Sequence, residues 1–342
     1  MLVAELPSPG EELVIKSRPV PVPGQNEVLI KIDACGVCGS DLFLQKGGFP
    51  GIRYPVVPGH EAAGTVVDVG EGVNQELIGK QVALYYINYD PSSPYAVAGH
   101  PNIGPNIQRM GVDVDGAFSQ YVVRPVHTVI PVEKHIEPAS LAVLTDAFAT
   151  PYHALVDIGQ LKPSETVLIL GIGGIGSAAI QIAKNHGATV VAASRSHSKL
   201  ELATELGADY VYTIDQLSTA PIRNRYGDRG ADMVIQCSSS ASLDALAIEM
   251  VGLLGRVVFV GTSTDAYSSR ASTLIWKEAT VLGSRGFTPQ NIQAIINSYL
   301  KGELKTDYLT KARFSLTDVN QALRALRDSS VVRAVILPNA SS

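Results

Sequence analysis

The stretch Thr166-Val-Leu-Ile-Leu170-Gly171-Ile172-Gly173-Gly174-Ile175-Gly176 decides how this chain is read. A short apolar run of strand length meets a G-x-G-x-x-G turn, and helix-forming residues follow. The first glycine permits a tight turn, the second lets a pyrophosphate approach the backbone, and the third lets the helix pack closely on the strand. The helix start adds unpaired N–H groups and a positive dipole end. Residues 166–183 are almost uncharged, yet the four glycines fit a strand, a turn and a buried helix rather than a membrane span. This pattern predicts a dinucleotide held by Gly171, Ile172, Gly173, Gly174, Ile175 and Gly176.

The next strand, expected at 189–193, selects the cofactor. An acidic residue about 20 positions past the glycines would bind a ribose 2′-hydroxyl. No Asp or Glu occurs between Gly176 and Glu201; Ser194 and Arg195 stand there instead, with Lys199 one turn later. A hydroxyl and a guanidinium fork suit a 2′-phosphate, so NADP(H) is expected over NAD(H). Further strands are expected at 233–236 and 256–260, which makes a parallel sheet with crossover helices. Ligands bind beyond strand C-termini in such sheets, which draws in Gly261 and Thr262 near the nicotinamide. Arg285, where the chain leaves this half, is a further cofactor candidate, and Cys237 is read as a buried thiol.

The first ~145 residues have a different texture. Short apolar runs at 28–32, 64–69 and 81–84 alternate with Gly and Pro, which suits a small irregular barrel with long loops. Residues 88–116 are poor core formers and read as a lobe, with Asp90 and His100 at its surface. Amphipathic stretches at 291–300 and 317–326 precede a closing strand at 333–337.

Composition bounds the function. The 342 residues suggest about two domains. The net charge is −5, from 27 basic and 32 acidic residues, so neither nucleic acid nor an anionic membrane is an expected partner. The three cysteines, Cys35, Cys38 and Cys237, exclude a disulfide framework and suit a reducing, cytoplasmic setting. The N-terminal residues show no basic segment followed by an apolar run, so no secretory signal is expected.

Cys38-Gly39-Ser40-Asp41 follows an expected strand and reads as a loop. Gly59-His60-Glu61 lies 22 residues later, and Asp146 closes the β-rich half. Thiolate, imidazole and carboxylate form a plausible catalytic zinc set. Each also has a structural reading: a small buried thiol, a hydrogen-bonded core histidine and a helix cap.

Several motifs together carry a resemblance: Ala34-Cys-Gly-Val-Cys38-Gly-Ser-Asp41, Pro55-Val-Val-Pro-Gly-His60-Glu-Ala-Ala-Gly-Thr-Val66, Asp115-Gly-Ala-Phe-Ser-Gln-Tyr121, Thr150-Pro-Tyr-His-Ala-Leu155 and the glycine turn. In this order the chain resembles the zinc-dependent medium-chain alcohol dehydrogenases over its whole length. The resemblance implies an α/β protein: a GroES-like β-barrel catalytic domain (1–147), a Rossmann doubly wound parallel-sheet domain (148–286) and a C-terminal segment (287–342) returning to the barrel. It implies an active site in the cleft between the domains and a homodimer or homotetramer.

It also implies that Cys38, His60 and Asp146 bind one catalytic zinc, that Glu61 is an alternate ligand, and that Asp41 orients His60. In such enzymes zinc polarises the alcohol or carbonyl oxygen of a small substrate while hydride passes to or from the nicotinamide. Ser40 matches the hydroxyl that starts the proton relay; Phe43 stands where many relatives place the next relay histidine. Relatives often bind a second, structural zinc through four cysteines in the lobe, but residues 88–116 contain none, so one zinc per chain is expected. Phe43, Tyr86, Tyr95 and Phe148 are candidates for an apolar substrate pocket. A zinc-free quinone-type reductase, or an inactive nucleotide-binding protein, would leave Cys38, His60 and Asp146 unexplained.

Overall fold

The deciding stretch forms the strand Thr166–Leu170, buried along its whole length, and the helix Gly174–Asn185, with Gly173 as its N-cap, in a computed structural model describing residues 1–261 and 265–340. That strand is central in a six-stranded parallel sheet. The order is Tyr210–Thr213, Thr189–Ser194, Thr166–Leu170, Ala231–Gln236, Val251–Phe259, Thr280–Gly283. Counted in chain order this is 3-2-1-4-5-6, the doubly wound dinucleotide-binding arrangement. The inner strands are apolar runs because helices cover both faces, and Leu168, Leu170, Val191, Val234 and Val257 anchor the core.

The other unit is β-rich. The long strand Glu27–Val37 pairs antiparallel with Glu61–Val69, Tyr121–Pro125 and the C-terminal strand Ala334–Leu337. Gln81–Leu84 and Val129–Pro131 extend the sheet beyond Glu61–Val69, and Ala312–Ser315 flanks Ala334–Leu337. Contacts divide the chain into two compact units. One joins Met1–Ala147 to Thr288–Asn297 and to the chain from Lys305 onward; the other holds Phe148–Phe287 and Ser298–Leu304.

Local chemistry differs from the sequence expectation at several points. Cys38 is not in a loop: it is the N-cap of a short helix, Gly39–Gln45, and Asp41 in its first turn accepts a hydrogen bond from the Cys38 N–H at 2.8 Å. The closing strand starts at Ala334, which leaves Arg333 outside it. The lobe carries a two-residue strand pair, Ile87–Asn88 with Gln108–Arg109, and a helical turn, Pro94–Val97. Asp90 and His100 are exposed on it. No helix among the described residues is long and apolar enough to cross a membrane.

Candidate functional site

Three sequence-distant side chains meet in the β-rich unit. Cys38 arrives from the helix N-cap, His60 from the residue before the strand Glu61–Val69, and Asp146 from a π-helical turn, Leu144–Phe148. A π turn is a common way to aim one helical side chain at a functional site. Their ligand atoms all lie within 4.8 Å of one another, and all three residues are buried. His60 Nε2 is 3.7 Å from Asp146 Oδ2.

Asp41 ties the cluster together. One oxygen accepts from Cys38 N–H; the other accepts from Gly59 N–H at 3.3 Å and faces His60 Nδ1 at 3.3 Å. A metal-bound histidine commonly has such a carboxylate on its other nitrogen, which fixes the ring and its tautomer. Burial acts to lower the His60 pKa, but Asp41 and Asp146 outweigh it and raise it well above the usual imidazole value. The site is therefore built to receive positive charge. A buried thiol, imidazole and carboxylate within this span fit a zinc ion.

Behind the cluster lies a pair that the sequence did not reveal. Glu61, at 0% exposure, accepts from Ala147 N–H at 2.9 Å and lies 3.3 Å from Arg333. Its second oxygen, Oε2, is buried with no hydrogen-bond partner. Burial pushes the Glu61 carboxyl up to about 8, with Asp146 adding to the rise against the pull of Arg333. Arg333 Nη2 also stands 3.5 Å from Asp146, and Nη1 donates to Val37 O at 3.3 Å. Pairing of Ala334 with Val37 carries the arginine there. The signal in the sequence was one charged residue opening an otherwise apolar closing run.

Ser40 Oγ lies 3.7 Å from Cys38 Sγ. The Tyr86 ring sits 5.6 Å from the His60 ring, and Phe43 packs edge-on to Phe49. Tyr95 is instead an exposed residue of the lobe, and Phe148 is fully enclosed.

The glycine turn stands in the parallel-sheet unit. Gly171 has φ +92°, and its N–H donates to Ala193 O, which places the first turn beside the end of the second strand. A Cβ on Gly176 would lie 1.9 Å from Gly171 O, whereas one on Gly173 would meet nothing within 4 Å. The third glycine is thus required by packing. The second faces open space, as an approaching pyrophosphate needs. Ser194 ends the second strand and is buried; Arg195 is exposed and Lys199 half-buried on the following helix. Gly261 follows the strand Val251–Phe259, and Thr262 falls outside the described residues. Arg285 is exposed. Cys237, expected as a buried thiol, is only half-buried; burial still pushes its thiol up to about 12, so it is neutral near pH 7.

Comparison with known proteins agrees with both halves. The profile of the alcohol dehydrogenase GroES-like domain matches residues 24–134, and that of the zinc-binding dehydrogenases matches residues 174–301. The chain is 31% identical to L-galactonate-5-dehydrogenase of Escherichia coli K12, over 95% of this chain and 96% of that one.

The chain belongs to the zinc-dependent medium-chain dehydrogenase/reductase family.

Solved structures of relatives superpose closely. A zinc-binding dehydrogenase of Sinorhizobium meliloti 1021 bound to NADP gives a TM-score of 0.89 at 26% identity, covering 98% of this chain and 99% of that one. An alcohol dehydrogenase of Escherichia coli CFT073 complexed with NADH gives 0.90 at 25%, covering 99% of each. This family member is an oxidoreductase of the alcohol dehydrogenase type.

Proposed function

We propose that this oxidoreductase is zinc-dependent, prefers NADP(H), and holds a single catalytic zinc through Cys38, His60 and Asp146. The observation that carries the reading is the convergence of those three buried side chains. When bound, zinc supplies Lewis acidity toward the alcohol or carbonyl oxygen, and the nicotinamide exchanges the hydride.

The chain's own residues do the rest. Asp41 orients His60 and fixes the Cys38 backbone. Ser40, beside Cys38 Sγ, receives the alcohol proton at its hydroxyl and passes it outward. Phe43 cannot carry that proton further, so water or cofactor hydroxyls continue the path. Glu61, with Arg333 as its counter-charge, stands in reserve as an alternate ligand.

Three features support NADP(H): Arg195 and Lys199 beside Ser194, and no acidic residue at the end of the second strand. Comparing kcat/KM with NADPH and NADH, over a panel of alcohols and carbonyls in both directions, tests the preference. Arg195→Ala is expected to lower kcat/KM for NADPH by about tenfold or more, the worth of one hydrogen bond to a charged group, and leave NADH nearly unchanged. A clear preference of the wild-type chain for NADH would refute the assignment.

We also propose that the chain is a homo-oligomer. Among the described residues, Thr280–Gly283 is a terminal strand of the parallel sheet, and the preceding helix Ala271–Lys277 buries no residue. Ile275 and Trp276 on that helix are 70% and 81% exposed. An unpaired sheet edge beside large exposed apolar side chains is a surface that a second copy covers.

A further inference from the structure

Gln236 ends the strand Ala231–Gln236 with its side chain fully buried at the C-terminal edge of the parallel sheet. Its amide is used at both ends. The side-chain oxygen accepts from Ser238 N–H at 2.8 Å, and Nε2 donates to Asp244 Oδ1 at 2.7 Å. Its main-chain oxygen accepts from Val260 and Gly261 N–H, both at 3.0 Å. Asp244 lies in the helix Ala241–Met250 and is itself buried.

The segment so gripped touches both ends of the glycine crevice. A Cβ on Gly171 would stand 3.0 Å from Ser238 Cβ, and one on Gly176 would stand 3.6 Å from Cys237 Cβ. A Cβ on Gly261 would collide with Ser238 O at 2.0 Å and Gln236 Oε1 at 2.7 Å. Residues 237 and 238 are therefore wedged between the glycine turn and Gly261; Cys237 N–H donates to Leu170 O at 2.9 Å, and the Gln236 amide holds Ser238.

We propose that Gln236, through Asp244, is a positioning residue for dinucleotide binding. It touches no cofactor in this scheme; it sets the height of the Cys237–Ser238 segment against the glycine turn. The proposal rests on the reading that this turn binds a nicotinamide dinucleotide. The chemistry needs one donor and one acceptor on residue 236, matched by an acceptor on 244. Glutamate at 236 keeps the bond to Ser238 but sets a carboxylate against Asp244. Asparagine at 244 then restores the pair with donor and acceptor exchanged.

The test is fluorescence titration of NADPH and NADH into the zinc-loaded enzyme, with melting temperature and the KM-against-kcat split recorded alongside. Gln236→Leu and Gln236→Glu are each expected to weaken cofactor binding about tenfold, the worth of a lost hydrogen bond to a charged group. The cofactor KM should rise with little change in kcat, and Gln236→Glu/Asp244→Asn should recover most of the affinity. If Gln236→Leu fails to fold, the comparison of Gln236→Glu with the double variant decides alone. Wild-type affinity in Gln236→Glu, or a double variant no better than the single, would overturn the proposal. A wild-type chain that binds neither dinucleotide would remove the underlying reading as well.

Discussion

Gly36→Ala probes the surroundings of the cluster while leaving Cys38, His60 and Asp146 themselves unchanged. Gly36 lies between the two cysteines of Cys35-Gly-Val-Cys38, and its backbone is not left-handed, so only space forbids a side chain there. An added Cβ would stand 1.8 Å from Glu61 Oε2 and 2.5 Å from Glu61 Cδ. The carboxylate must move, and it is fully enclosed. Moving it breaks the bond from Ala147 N–H and the approach to Arg333. A lost hydrogen bond to a charged group costs about 1.5–3 kcal/mol, and overpacking adds about 1–3 kcal/mol. The sum, about 2.5–6 kcal/mol, corresponds to a fall in melting temperature of roughly 10 °C.

Thermal melts of the zinc-loaded chain measure it, and a second background separates cause from accident. In Glu61→Ala the space is vacant, so adding Gly36→Ala there should cost about 1 kcal/mol or less, a strongly non-additive pair. A Gly36→Ala variant melting within about 1 °C of wild type, or the same penalty in both backgrounds, would refute the packing argument.

Two further outcomes follow from named residues. Ser40→Ala should lower turnover by ~10²-fold or more while zinc content and cofactor binding persist, and a near-normal rate would remove Ser40 from the proton path. Trp276 is the chain's one tryptophan. Its emission should be blue-shifted in the native oligomer and move to the red in Trp276-retaining Ile275→Arg, which should sediment as a monomer; a red-shifted, monomeric wild type would refute the interface.

Much of this architecture was legible because its signals are local. The apolar run, the glycine spacing and the missing acidic residue each lie within about 30 residues of sequence, and the sheet follows from repeating such units. Cys38, His60 and Asp146 were legible only through the order of several motifs, since spacing alone left each with an ordinary structural reading. The Glu61–Arg333 pair was not legible: it depends on pairing of Ala334 with Val37, nearly three hundred residues away along the chain, and long-range register has no local signature. Gln236 was missed for a related reason. It reads as a polar end to a strand until its partners, Ser238 and Asp244, are folded around it. Residue type alone points to Tyr95 and Phe148 as pocket residues, yet neither type nor sequence position reports which way a side chain faces: Tyr95 is exposed and Phe148 fully enclosed.

The most direct test of the central claim is the metal content of the purified chain beside that of Asp146→Ala. About one zinc per wild-type chain is expected, with zinc and activity lost together in Asp146→Ala while cofactor binding remains. Two zinc ions per chain, none, or full zinc and full activity in the variant would contradict the account.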